Sequence, residues 1–447
     1  MSDQASLGSD GPTLGGVQAP PASRRFISGG SSIFVLGASG LMALSTVVVT
    51  VVAARVLNVD DNAKFLVYWS LLFGIFQVMT GTQNEATRAV GSVGAGGQPR
   101  ARVLLMPVIL GGAVVMLVAI AALLDVALGG ARVLADIAPV VVVASAVVVV
   151  AYSCQLTLAG ALAGRRHWMP MAGLSAAETL VRLVAVLAVG LAIGGLVRLQ
   201  LAAALPCLVW PLLAVAWRPV RLAIGARADV GLPGLLRNGA LAMVAACAVA
   251  ALVNGFPFIT RLALAPQLTA SGLATLLLAI QVTRAPIMIP LTAFQGVVIS
   301  AFVAHKQSRV KALVKPLLLV TALGAVLALL MAAIGPFVMR LLYGAQYSMP
   351  GVALGAMTFA AVSLALLTLT GAANLAISAH RAYLAGWWVG AIVTVGLLFL
   401  LPLPGAWCVA VAIACGPLCG VAVHLVAIGR SSSPGTIDPM RAGSSGA

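Results

Sequence analysis

The chain has 447 residues, of which 62% are hydrophobic and 8% charged, with 26 Lys and Arg against 10 Asp and Glu, a net charge of +16. Soluble domains carry roughly 25% charged residues, so this composition and a mean hydropathy of +1.11 exclude a soluble enzyme and point to a polytopic membrane protein. A basic balance can mean nucleic acid, but here the basic residues sit in short segments between apolar runs, where topology explains them and no nucleic-acid partner is expected. Arg outnumbers Lys, and Ala, Val, Gly and Leu dominate, a usage that suits a GC-rich bacterial genome.

Residues 1–30 are rich in Ser, Gly, Pro and Gln and lack the order of charge, short apolar core and cleavage site of a signal peptide, so they read as a disordered cytoplasmic arm. An uncharged run then lies between Arg25 and Arg55, long enough to cross a hydrocarbon core of about 30 Å at about 1.5 Å per residue. A short polar stretch with Asp60, Asp61 and Lys64 leads into a second uncharged run, Phe65–Asn84. These form a helical hairpin, flanked by Arg24 and Arg25 at its start and by Arg88, Arg100 and Arg102 at its end.

Further spans are expected over Val103–Leu124, Val140–Leu162, Met169–Leu191 and Leu199–Trp217. The segment 218–238 carries four arginines and one aspartate and divides the chain, either as an amphipathic helix on the inner leaflet or as a plain linker. Ala240–Thr260, Gly272–Ala304, Pro316–Leu341, Val352–Ile377, Ala385–Leu401 and Ala406–Ile428 complete twelve spans, with a basic loop at His305–Lys315 and an outer turn at Tyr343–Tyr347. The tail 431–447 reads as disordered. The predicted fold is therefore an all-α membrane protein of two six-helix bundles, residues 31–217 and 239–430. Placing both termini inside puts 18 basic residues on the inner side and 6 on the outer, with Arg182 and Arg284 inside spans, the distribution expected of a plasma-membrane protein with cytoplasmic termini. The pair Ala54-Arg55 returns as Thr260-Arg261, and Arg165-Arg166-His167 as Ala379-His380-Arg381, at separations close to half the chain, which suggests two related halves.

Charges within spans cost about 2.5–3.5 kcal/mol each at the membrane centre, so they mark cavities or partners. Glu178 and Arg182 stand four residues apart on one helix face, either as a self-neutralising structural pair or as a site lining a central cavity. Arg284, with Gln281 and Thr283 beside it, has no acid nearby in sequence; it calls for an anionic ligand such as phosphate or for a tertiary pair with Glu178. Pro286 and Pro290 follow and are expected to bend that helix, and Asn254 with Pro257 marks a break in the seventh span. Glu85 and Arg88 close the second span as a gate or a helix-end pair. Asp60 and Asp61 read as a solvated turn or as an acid pair for sugar transfer. His167, His305, His380 and His424 are expected at helix ends on the basic side. The six cysteines have no metal-ligand spacing and read as small packing residues, and neither a phosphate loop nor a Ser/His/Asp arrangement is present, so no metal or cofactor is expected and no enzyme activity.

Ala54-Arg55-Val56-Leu57, Phe65–Tyr68 and Thr82…Glu85-Ala86-Thr87-Arg88 resemble the opening of polysaccharide-type flippases of the multidrug/oligosaccharidyl-lipid/polysaccharide exporter superfamily. Leu341–Tyr347 looks like that family's outer turn after span nine, and Ala379-His380-Arg381 like its inner turn after span ten. The resemblance implies two bundles around a cationic cavity and alternating access. The cargo it implies is a polyprenyl-pyrophosphate-linked glycan, with Arg284 and Arg182 toward the pyrophosphate, and membrane lipids and glycan assembly enzymes are the partners. Drug exporters of the superfamily often carry an acid in the first span, and Ile33–Ala54 has none; lipid II flippases usually have fourteen spans against twelve here. A multidrug exporter and an outer-face glycosyltransferase using Asp60 and Asp61 are the alternatives.

Overall fold

In lipid every backbone N–H and C=O needs an internal partner, and the chain meets this with helices almost throughout. The computed structural model describes residues 29–127, 137–304 and 309–432. In chain order the helices are α1 (Gly29–Val56), α2 (Val59–Gly94), α3 (Leu105–Ala127), α4 (Pro139–Gly164), α5 (Trp168–Ala192), α6 (Leu196–Ala204), α7 (Trp210–Ala216) and α8 (Arg218–Ile224). They continue as α9 (Leu232–Leu252), α10 (Phe256–Leu264), α11 (Ala270–Ala304), α12 (Arg309–Tyr343), α13 (Gly351–Ala376), α14 (His380–Leu400) and α15 (Gly405–Ser432). Among the described residues twelve segments are long and apolar enough to span a membrane, with α6 and α7 forming one of them across a 3₁₀ turn at Leu205–Leu208. Nothing in β-strand occurs among the described residues beyond one isolated bridge, Arg102 with Arg227. The expected arm and tail fall outside the described residues, except that Gly29 and Gly30 open α1 and Ser431 and Ser432 close α15.

The two halves repeat one pattern of neighbours. In the first half α2 and α3 pack on α4, α4 meets α5, and α5 meets α1; in the second α11 and α12 pack on α13, α13 meets α14, and α14 meets α9. The halves join chiefly through α2, which lies along α9 and α10 and also touches α11. That approach depends on small residues, as in many membrane interfaces. A Cβ on Gly81 would sit 2.4 Å from the Met243 backbone nitrogen, so any larger residue there would push α9 away.

Each end of the interface carries a polar clasp. At the Asp60 end, Arg55 donates to the carbonyls of Arg340, Leu341 and Leu342, capping the negative end of α12. Beside it the Asn62 amide donates to the Tyr347 hydroxyl at 2.9 Å, and both Tyr343 and Tyr347 are buried. At the opposite, basic end, Arg88 grips Glu85 at 2.7 and 2.8 Å and Asp229 at 3.0 and 3.1 Å, while Asn238 donates to Glu85 at 3.2 Å. Glu85 and Arg88 are thus more than a helix-end pair: they tie α2 to the segment before α9 and to α9 itself. The backbone reinforces the tie, with Arg100 N donating to Ala228 O at 2.7 Å and Ala228 N to Ala101 O at 2.8 Å.

Several expectations change. Within the expected dividing segment 218–238, α8 spans seven residues and α9 starts at Leu232, so Arg237 and Asn238 are helical. Asp60 and Asp61 lie in the first turn of α2 instead of a loop. Asn58 caps that turn by accepting from Asp61 N at 2.8 Å, and Asp60 pairs with Lys64 at 2.7 Å, an acidic start that suits the positive end of the helix dipole. The basic residues Arg309, Lys311 and Lys315 belong to α12, while His305 and Lys306 fall outside the described residues. His424 is not at a helix end: it is fully buried within α15, between the Thr370 hydroxyl at 3.0 Å and the Tyr383 carbonyl at 3.1 Å. His167 and His380 flank helix N-termini, where the dipole opposes a positive charge.

Arg88 beside Asp229 holds that carboxyl below the usual carboxylate range, helped by the Ser92 hydroxyl. Because the folded-state value is depressed, the bridge contributes at neutral pH and is lost as pH falls through that depressed value. Arg88 is about half exposed, so the bridge to Asp229 is worth roughly 0.5–1 kcal/mol. Asp229→Asn should lower the thermal stability of the purified protein slightly at pH 7. Arg88→Ala should cost several times more, because it strands the buried Glu85 carboxylate. Unfolding curves recorded from pH 7 down to pH 3 check this, and the Asp229→Asn deficit should shrink on acidification; a deficit that grows would contradict the assignment.

Candidate functional site: a mid-membrane cavity at the broken seventh span

The seventh span does not run through. Pro257 has no backbone N–H to continue a helix and restricts the residue before it, and Asn254 and Gly255 are weak helix formers. Helix α9 stops at Leu252 and α10 begins at Phe256, as the Asn254–Pro257 pattern leads one to expect. The break leaves carbonyls and N–H groups without helical partners among apolar helices, where an unmet backbone group costs several kcal/mol.

Two side chains meet that need. Ser70 of α2 donates to Asn254 O at 2.7 Å and accepts from Phe258 N at 3.0 Å, so one hydroxyl bridges the two sides of the break. The close approach of Gly74 to Gly255 brings α2 near enough; a Cβ there would lie 3.1 Å from Gly255 Cα. Arg284 of α11 donates from Nη1 to the carbonyls of Leu252 at 3.0 Å and Val253 at 3.2 Å, at the negative end of α9. Its guanidinium lies 4.4 Å over the Phe256 ring. Its Nε is buried with no partner, and no carboxylate pairs with it among the described residues. The tertiary pair with Glu178 considered from sequence does not form.

Arg284 borders a cavity of about 320 Å³. It stands about 20 Å along α11 from Ala270, well inside the membrane, at 1.5 Å per residue. The walls come from both halves: Thr46 and Thr50 of α1, Trp69 and Phe73 of α2, Asn254 and Pro257 at the break, Gln281 and Arg284 of α11, and Tyr343 of α12. Pro286, two residues after Arg284, has no N–H to offer the Val282 carbonyl, and both residues line the same cavity. Asn254 donates to the Gln77 side chain at 3.1 Å. The cavity therefore presents a full positive charge and several neutral hydrogen-bonding groups within an apolar wall.

The structure thus gathers Arg284, Gln281 and Asn254 at one place and sets Glu178 and Arg182 elsewhere. Those two form an ion pair inside the first bundle, both nearly fully buried. Arg182 Nε donates to Ala203 O at 3.0 Å, capping α6 where Pro206 interrupts the sixth span. Cys207 adds a sulfur contact at 3.4 Å. The Arg182 guanidinium sits 4.7 Å over the Phe73 ring, so Phe73 separates it from the cavity. Both buried arginines share a plan, a capped broken helix and an aromatic face, yet Arg182 alone has a carboxylate.

Sequence reasoning missed Ser70, Trp69, Phe73 and Phe256. Phe65, Trp69 and Phe73 recur every four residues and mark an aromatic stripe on α2, with Trp69 and Phe73 stacked at 4.0 Å. Ser70 carries no comparable signal, because its role depends on a break elsewhere in the chain.

No protein-family model matches the chain. It is 35% identical over 431 residues to Uncharacterized protein Rv3630 of Mycobacterium tuberculosis, covering 94% of this chain and 97% of that one. Among solved structures it is similar to the lipid II flippase MurJ in an inward closed conformation, with a TM-score of 0.65 and 11% identity over 90% of this chain and 88% of that chain. It is likewise similar to a multidrug resistance MATE family transporter in an inward-facing conformation, with a TM-score of 0.63 and 15% identity over 90% of this chain and all of the other. The chain belongs to the family of the mycobacterial protein, and its fold is that of the multidrug/oligosaccharidyl-lipid/polysaccharide exporter superfamily.

Proposed function

We propose that the chain is an alternating-access transporter that moves a polyprenyl-pyrophosphate-linked glycan from the inner to the outer leaflet of a bacterial plasma membrane. The observation that carries this reading is Arg284, a guanidinium with no carboxylate partner among the described residues, on the wall of a cavity between the two halves. A fixed cation in a low-dielectric cavity favours an anionic cargo, and its planar fork suits phosphate oxygens. Gln281 and Asn254 offer amides for sugar hydroxyls or phosphate oxygens on the same walls. The basic end of the bundle faces the cytoplasm under the positive-inside rule, which places both termini there and Asp60 outside. Enzymes that assemble the glycan are the natural partners of such a protein.

A multidrug exporter of the same superfamily is the second reading, supported by the likeness to the MATE transporter. A cationic drug would meet repulsion from Arg284. A glycosyltransferase built on Asp60 and Asp61 has less support, since both carboxylates already serve the start of α2.

Purified protein should bind a labelled polyprenyl-pyrophosphate glycan, and Arg284→Ala should weaken binding at least about tenfold, since a charged hydrogen bond is worth about 1.5–3 kcal/mol. Arg284→Lys should restore only part of it, because a point charge lacks the bidentate fork. Undiminished binding by a well-folded Arg284→Ala protein would contradict the reading.

Arg182 and Glu178 hold the first bundle's wall behind Phe73 and act on the cargo only through it. Arg182→Gln alone strands a buried carboxylate and should destabilise the protein by about 3–5 kcal/mol, whereas adding Glu178→Gln should recover much of the loss. Thermal unfolding of both variants checks this. If Glu178→Gln alone abolished transport in a normally stable protein, Glu178 would carry protons for coupling instead.

A further inference from the structure

A second cavity lies away from the centre, on the lipid-facing side of the first bundle. It is a groove of about 560 Å³ between α5 and the interrupted sixth span. One wall is a single stripe of α5, Val181, Ala185, Val189 and Ile193, spaced four residues apart and so stacked along one face. That stripe runs about 18 Å at 1.5 Å per residue. The other wall is built across the break at Leu205–Leu208, where Pro206 ends the regular helix. Small side chains at Ala185 and Ala202 give the groove depth.

The chemistry of the lining is uneven. It is apolar throughout except at the end near Ile193, where the Gly194-Gly195 turn reverses the chain and Arg198 stands exposed. Both glycines have positive φ, 67° and 91°, so the turn is tight and keeps Arg198 close to the end of the α5 stripe. Among the described residues no carboxylate pairs with Arg198. An apolar groove within a membrane span is filled by hydrocarbon, and an unneutralised guanidinium at its interfacial end favours a phosphate of net negative charge.

We propose that this groove binds one anionic phospholipid, its phosphate on Arg198 and an acyl chain along the α5 stripe. The site is separate from the central cavity and does not depend on what that cavity carries. A zwitterionic phosphatidylcholine offers the same chains and phosphate, but its ammonium group opposes the charge of Arg198. The lipid spans the interruption in the sixth span, whose first half ends at the carbonyl that Arg182 caps, so its presence should steady that joint.

The test uses the full chain in nanodiscs of equal parts phosphatidylglycerol and phosphatidylcholine, with retained lipid counted by native mass spectrometry. The wild type should keep one phosphatidylglycerol in preference to phosphatidylcholine. Arg198→Gln, at an exposed position, should reduce that preference about tenfold while folding normally, the value of one charge-assisted hydrogen bond. Ala185→Trp should fill the groove and lower retention of both lipids. Equal retention of the two lipids by the wild type, an unchanged preference in Arg198→Gln, or full retention by a folded Ala185→Trp protein would each overturn the proposal.

Discussion

A helix interrupted inside a membrane must find partners for the backbone groups it exposes, and the central part of this structure follows from that demand. The seventh span breaks at Val253–Gly255. The Ser70 hydroxyl and the Arg284 guanidinium take up the freed groups from two other helices. Arg284 thereby acquires a structural reason to be in the membrane that needs no acid. Capping the α9 carbonyls engages Nη1 and leaves the guanidinium charge unneutralised by any carboxylate among the described residues. The same residue joins α11 to α9 and gives the cavity its charge. Arg182 shows the contrast: it caps a broken helix too, but Glu178 neutralises it and Phe73 covers it, so its charge is spent within the bundle.

The clasps at the two ends of α2 set what could move. The Arg55 and Asn62 contacts tie the Asp60 end of α1 and α2 to the end of α12 and the turn after it. The Arg88 network ties the basic end of α2 to Asp229 and Asn238. Between them α2 lies against α9 and α10 with glycines at the closest approaches. Polar contacts at helix ends can exchange with water, while a glycine-packed seam has little to exchange. In an alternating-access scheme the seam would act as the pivot and the clasps as the parts that release.

Much of the architecture was legible because lipid imposes a coarse rule: apolar runs of sufficient length must be helices that cross. All twelve spans follow from it, and the break at Asn254–Pro257 follows from the known habits of Asn, Gly and Pro. The interruption at Leu205–Leu208 was not read, because Pro206 sits in an otherwise continuous apolar run and hydropathy cannot register a missing N–H. The ion pair of Glu178 with Arg182 was visible in its four-residue spacing, but not its place behind Phe73, which depends on how α2 and α5 meet. The partners of Arg284 were invisible for a different reason. They are backbone carbonyls, which every residue possesses and no sequence pattern announces. His424 was expected at a helix end on the basic side, but Thr370 and the Tyr383 carbonyl hold it inside α15 as a core residue, contacts that no local sequence pattern announces.

The proposed function turns on the Arg284 guanidinium, which no carboxylate among the described residues neutralises, selecting an anionic lipid-linked cargo. The most direct measurement reconstitutes the protein in vesicles and follows the flipping of two labelled polyprenyl glycans that share one sugar, one carrying a pyrophosphate and the other an uncharged linkage. The account predicts that the pyrophosphate lipid is flipped by the wild type, that the uncharged one is flipped far more slowly, and that Arg284→Ala abolishes the difference. Equal flipping of the two lipids by the wild type, or an undiminished preference in Arg284→Ala, would contradict it.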